Sequence, residues 1–282
     1  MKGENNMSHV VSSEGGHDKE INDLWNESER NPILAELTAR KDLQKIIESI
    51  PNIQEAFKKN PDCCGCSDGR IHEHRFARAG QGILVGVKSV VNWIEEEIEK
   101  GAIKDKFEFT SHAGCGAAKI VCNQLQKEGK LPQDFEADKL GIQFAKDVIA
   151  AASAKFPQIK FTYKHIEAHE MDKIHNERCI YLDTTQKINP KAIAELPSGF
   201  IMTVMPEVDS EITKSELTAL CGIALGNHGF GKRFSIEKPF WIIVSSKSEE
   251  EKNSQIELAK SVANQFEEGR VKVASFVVAD LF

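Results

Sequence analysis

Two short stretches hold the side chains best suited to chemistry. Cys66-Ser67-Asp68-Gly69-Arg70 places a thiol, a carboxylate and a guanidinium at alternate positions, which in an extended chain turn to one side. His112-Ala113-Gly114-Cys115 offers an imidazole and a thiolate three positions apart, just before Gly116. Zinc accepts such a mixture of two sulfurs and one ring nitrogen readily. Three ligands with a fourth position left to water or a carboxylate describe a catalytic site, whereas a structural site has all four places filled by Cys or His. Cys63 or Cys64 in the fourth place would close the site and make the chain a non-catalytic zinc module.

Other polar residues have competing readings. His72 and His74 follow the first stretch closely enough to ferry protons, since an imidazole with pKa near 6.5 suits transfer to solvent; an exposed pair of histidines is the plainer reading. His165, His169 and His175 would share a second metal site if the chain between them were helical, but its composition favours strand and loop. His228, flanked by glycine in Asn227-His228-Gly229-Phe230-Gly231, fits a ligand-facing turn or a helix end equally well. Cys63-Cys64-Gly65-Cys66 also has dithiol spacing, although redox chemistry leaves His112 and Cys115 unexplained. Phe76, Ile83, Leu84 and Val85 are expected to line the pocket or pack beneath it.

The elements that must carry these residues are legible from apolar spacing. Phe107-Glu108-Phe109-Thr110-Ser111 alternates as a strand and delivers His112 at its carboxyl end. Val87, Val90, Val91, Ile94 and Ile98 predict a helix stopping at Gly101, and Pro32 to Ile50 predicts one long amphipathic helix. After Gly116 the chain reads as helix through Leu125, then as a longer helix from Leu140 to Ile149. Strands are expected at Ile159–Ile166 and Cys179–Asp183. From Pro190 the pattern runs strand Phe200–Val204, helix Lys214–Leu225, strand Phe240–Ser245, helix Gln255–Phe266 and strand Val271–Val278. Strands alternating with helices imply an α/β fold with a central, mainly parallel sheet. No internal repeat at a fixed period is visible. The expected division is a flexible arm over residues 1–30, a zinc-binding domain over 31–188 and a further α/β region over 189–282.

The pair of motifs resembles the β-class carbonic anhydrases, whose signature is Cys-x-Asp-x-Arg followed by His-x-x-Cys. Here those motifs are Cys66-Ser67-Asp68-Gly69-Arg70 and His112-Ala113-Gly114-Cys115. The resemblance covers Pro51 to Lys119 and extends towards Asp183. It departs in Ala77-Arg78-Ala79-Gly80-Gln81, a loose match to Arg-Asn-Ala-Gly-Asn, and in the polar run Lys58 to Asp62 before the cysteines. The resemblance implies zinc held by Cys66, His112 and Cys115, and a metal-bound hydroxide that converts carbon dioxide reversibly to bicarbonate. Relatives also hydrolyse carbonyl sulfide or carbon disulfide. Asp68 and Arg70 would act as a switch, the carboxylate held off the metal by the guanidinium or released onto it. The family further implies a homodimer, with the Pro32–Ile50 helix a candidate for exchanged contacts.

Composition limits the partners. The 282 residues include 43 acidic and 36 basic side chains, for a formal net charge of −7, so a surface selective for a phosphate backbone is not expected. Seven cysteines, three of them between 63 and 66, do not form a disulfide framework and favour metal or thiol chemistry in a reducing compartment. With no apolar run of membrane-spanning length and no secretory pattern at the start, a cytoplasmic protein acting on a small molecule is expected.

Overall fold

The apolar periodicities resolve into alternating strands and helices in the computed structural model, which describes residues 14–58, 62–71, 76–206, 208–226 and 229–279. In chain order the amino-terminal part comprises α1 (Glu14–Ser28), α2 (Pro32–Thr38), α3 (Leu43–Glu48), β1 (Cys63–Cys66), β2 (Phe76–Arg78), α4 (Val87–Glu99), β3 (Lys106–His112), α5 (Gly116–Lys127), α6 (Ala137–Lys155) and β4 (Lys160–Ile166). The remainder comprises β5 (Cys179–Asp183), β6 (Gly199–Thr203), α7 (Ser210–Ala224), β7 (Phe240–Ser246), α8 (Glu249–Ala263) and β8 (Val271–Val277).

The strands form two four-stranded sheets, parallel throughout, in the orders β2-β1-β3-β4 and β6-β5-β7-β8. Helices flank both, so the α/β class expected from the alternation holds. Replacing each strand number n by n+4 turns the first order into the second. The two halves therefore share one topology, although no repeat is visible in the residues. The division expected at residue 188 falls earlier: β5 is the central strand of the second sheet, paired with β6 and β7. A short buried strand announces its type through composition, not the sheet it will join.

The two sheets meet at β2 and β6. Ala77 N donates to Thr203 Oγ1 at 2.9 Å, and Ile201 N donates to Ser67 O at 3.0 Å. One apolar cluster runs through the junction, taking Cys66, Ala79, Cys115 and Ala117 together with Phe200, Leu217 and Leu220. The metal-motif segments are thus embedded in packing that both halves supply.

Two expectations need correction. Residues 14–28 of the expected arm form α1, where Ile21, Leu24 and Trp25 make an i, i+3, i+4 stripe. Trp25 is buried, edge-on to Phe230 and Phe234, with the Arg178 guanidinium 4.0 Å from its ring centroid. Residues 1–13 lie outside the described residues. The single helix expected over Pro32–Ile50 is two short ones, broken where Arg40 takes φ 58° and Asp42 accepts from Gln44 N to start α3. Their apolar faces are occupied within the chain, packing with Trp241, Ile243 and Phe276 of the second sheet.

Candidate metal centre

Chain direction and topology place the motif residues together. In an open parallel sheet, ligands bind beyond the carboxyl ends of the strands, where the strand order reverses. The first sheet reverses at β1 and β3; Cys66 is the last residue of β1, and His112 the last of β3. Gly114, at φ 70°, turns the chain so that Cys115 caps α5. As the spacing implies, Cys66, His112 and Cys115 form a buried group whose ligand atoms all lie within 4.8 Å of one another, suited to holding a metal ion.

The electrostatics suit a cation. The Sγ atoms of Cys66 and Cys115 are 3.9 Å apart. Their hydrogen bond pulls the Cys66 thiol well below its usual pKa, against the opposing effect of burial and with help from His112. The same bond, with burial, pushes Cys115 up. Burial alone would lower His112, but the Cys66 charge outweighs it and lifts the imidazole to about 9. His112 Nδ1 lies 2.9 Å from Ala113 O, while Nε2 is buried without a hydrogen-bond partner. Gly80, left-handed at φ 55°, donates its amide to Cys66 Sγ at 3.2 Å.

Asp68 and Arg70 stand beside this group. Arg70 donates from its backbone N and from Nε to Asp68 Oδ1, both at 3.0 Å, and from Nη2 to Oδ2 at 2.7 Å. Burial pushes the Asp68 pKa up, but Arg70, His175 and His112 outweigh it and hold the carboxyl below the usual range. Asp68 Oδ2 is 3.9 Å from His112 Nε2. Gly69 has no room for a side chain: a Cβ there would lie 2.6 Å from Gly199 O and 2.8 Å from Glu177 Cγ.

Cys63 and Cys64, proposed to close the site, do not join it. Cys64 packs with Phe76 and Trp93 and donates to Gln81 O at 3.7 Å, and neither sulfur belongs to the metal-holding group. Phe76 stacks on Trp93 with ring centroids 3.6 Å apart and lies in the core. His165, His169 and His175 do not gather: His165 Nδ1 is 2.8 Å from Ser111 Oγ, and His169 lies in the short turn Ala168–Glu170. His72, His74 and His228 lie outside the described residues.

Sequence reasoning missed the place of His175 and Glu177. His175 Nδ1 is 3.1 and 3.2 Å from the two Glu177 oxygens and 4.0 Å from Asp68 Oδ1. Asp68, His175 and Glu177 form a second group close enough to hold a cation. Arg70 acts on both carboxylates, which offsets part of their charge without one. The only local signal is a His-x-Glu alternation in the segment linking the halves.

The centre opens into a cleft of about 920 Å³ walled by Phe200, Leu220 and Ile223 of the second half, with Met171 and His175 at its side. Among the described residues, no helix is long and apolar enough to cross a membrane. The chain matches no protein-family model, no curated protein and no solved structure.

Proposed function

We propose that this chain is a zinc enzyme that hydrates carbon dioxide reversibly to bicarbonate. The observation that carries this reading is a three-ligand group, two thiols and an imidazole, beside a carboxylate that a guanidinium holds in a two-pronged grip. The donor set fits zinc. Two zinc–sulfur bonds of about 2.3 Å at a tetrahedral angle put the sulfurs about 3.8 Å apart, against 3.9 Å here, and the unpartnered His112 Nε2 supplies a nitrogen. With Cys63 and Cys64 outside the group, the fourth place is left for water, as in a catalytic site.

Bound there, zinc supplies Lewis acidity that lowers the pKa of a water from about 15.7 towards neutrality. Cys66 and Cys115 offset the metal's formal charge, so this acidification is weaker than with three histidines and activity rises above neutral pH. Asp68, held by Arg70, accepts a hydrogen bond from the attacking water and orients its lone pair towards the carbon. Phe200, Leu220 and Ile223 provide an apolar wall for a linear, uncharged substrate. The proton released as bicarbonate forms passes to His175, which Glu177 holds at the side of the cleft.

Carbonyl sulfide and carbon disulfide suit the same wall and the same water, and their hydrolysis is the second reading. Stopped-flow assays on zinc-quantified protein with all three gases separate the two. Carbon dioxide turnover that disappears in Asp68→Ala and Cys66→Ser supports the first; turnover of a sulfur compound alone supports the second. The same resemblance implies a homodimer, and sedimentation decides between that and a single chain.

A further inference from the structure

The first sheet's carboxyl edge bears the metal group, and the second sheet's does not. The equivalent segments are Asp183-Thr184-Thr185, starting at the last residue of β5, and Ser246-Lys247-Ser248, starting at the last residue of β7. They offer no thiol or imidazole, and among the described residues no metal-holding group lies there. Glu251 of α8 stands there instead, accepting from Thr184 Oγ1 at 2.7 Å and from Lys247 N at 3.3 Å, at the side of a cleft of about 790 Å³ that holds no such ligands. A half with the topology of the first and none of its ligands invites the question of what it does for the centre.

Its reach to the centre is direct. Glu216 of α7 and Arg78 at the end of β2 form an ion pair with both side chains fully buried. Glu216 Oε1 also accepts from Ala79 N at 2.7 Å, and Arg78 Nη1 donates to Thr203 O at 3.0 Å. The next residue is Gly80, whose amide donates to Cys66 Sγ. A Cβ on Gly80 would meet Ala117 at 3.2 Å and Cys115 Sγ at 3.4 Å, so the turn runs between the two sulfurs and the start of α5. Ser67, between Cys66 and Asp68, accepts from Ile201 of β6. Gly199 of β6 closes over Gly69, and Ile223 of α7 approaches Gly116, where a Cβ would lie 3.2 Å from it.

We propose that the carboxyl-terminal half is a built-in, metal-free partner of the amino-terminal half: Glu216 holds the Arg78–Gly80 turn beneath Cys66, β6 and α7 wall the cleft, and one chain makes a complete site. Glu216 is a positioning residue, acting on Cys66 through Ala79 and Gly80. This inference rests on the zinc reading but not on carbon dioxide being the substrate.

Two experiments test it. Chains loaded with zinc, or with cobalt as a spectroscopic probe, are compared as wild type and Glu216→Gln, following metal release to a chelator and the thiolate-to-cobalt absorption. Loss of an outer partner of a metal ligand costs roughly 10–100-fold in metal affinity, and a shift of that size with an altered thiolate band is expected. Because Glu216→Gln leaves a buried guanidinium without its counter-charge, Arg78→Met/Glu216→Leu removes both charges and is read in the same way. Wild-type release and spectrum in either folded variant overturn the positioning role. The second experiment needs no variant: sedimentation of the loaded wild type is expected to give the mass of one chain with the cobalt band intact. A dimer that cannot be separated, or that loses the metal when separated, overturns the claim that one chain suffices. Altered metal release in a protein with no carbon dioxide turnover would keep this inference and reject the substrate.

Discussion

Replacing Arg70 by Ala removes two charge-assisted bonds from Asp68, those from Nε and Nη2, and leaves only the backbone amide on Oδ1. Hydrogen bonds to charged groups contribute about 1.5–3 kcal/mol each, so the grip on the carboxylate weakens by about 3–6 kcal/mol. Breaking one side of a buried ion pair costs about 3–5 kcal/mol, and with Arg70 at 12% exposure and Asp68 at 7% the lower part of that range applies. The freed carboxylate already has an oxygen 3.9 Å from His112 Nε2, one of the atoms that would hold the metal, so a bound metal would be within its reach. At about 1.4 kcal/mol per decade, roughly two to three orders of magnitude in kcat/KM are expected to disappear, with Asp68 in the place that water needs. Arg70→Lys, which keeps the charge but loses the two-pronged geometry, falls between. Stopped-flow hydration reads the rate, and X-ray absorption at the zinc edge reads the fourth ligand. Full turnover in Arg70→Ala with unchanged coordination would refute the switch.

In metal-free protein, His112 is expected to titrate near pH 9 by NMR and to fall in Cys66→Ser, where burial is opposed only by Asp68 and the Ala113 carbonyl. Stability from the raised imidazolium is full below about 6.5 and lost as pH climbs through about 9. The lowered Cys66 pKa has the opposite sign, with a contribution that fades as pH falls, so within this pair the two contributions oppose each other between those values. A His112 that titrates at its ordinary value in the apo protein contradicts the pairing. Gly69→Ala drives a Cβ against a backbone oxygen and is expected to cost about 1–3 kcal/mol and to loosen zinc; an unchanged melting curve with full zinc occupancy contradicts the close approach. Trp25→Ala removes the ring beneath Arg178, costing up to about 3–5 kcal/mol, and is expected to open α1 to limited proteolysis before the remainder unfolds. Cleavage at the wild-type rate would mean that α1 is not docked. Cys64→Ser and Cys63→Ser should each retain one zinc per chain, and loss of stoichiometry in either would restore a four-ligand, closed site.

The metal group was legible because its chemistry is local. Cys66, Asp68 and Arg70 are set by strand alternation, and His112 and Cys115 by a strand end followed by a glycine turn. Each needs a residue type at a fixed offset, and the sheet only has to bring two such segments together. The elements of the second half were legible for the same reason, Cys179–Asp183 to the residue. What escaped depends on distant partners. Glu216 sits in Thr213-Lys214-Ser215-Glu216-Leu217, which reads as an ordinary amphipathic turn, and only the fold reveals that it is buried against Arg78. His175 and Glu177 lie in a linking segment whose path nothing local fixes. The break at Arg40 falls among good helix formers, with Asp42 as its one capping signal. The shared strand order is invisible because topology is conferred by which faces are apolar, and many residue choices satisfy that.

The most direct measurement is exchange of heavy oxygen between carbon dioxide and water, followed by mass spectrometry on protein whose zinc content has been counted. Exchange is expected to track zinc occupancy, to vanish on chelation and return with the metal, to rise above neutral pH, and to be lost in Asp68→Ala and Cys66→Ser. One zinc per chain with no exchange above the uncatalysed rate at any pH would contradict the assignment of Cys66, His112 and Cys115 to carbon dioxide chemistry.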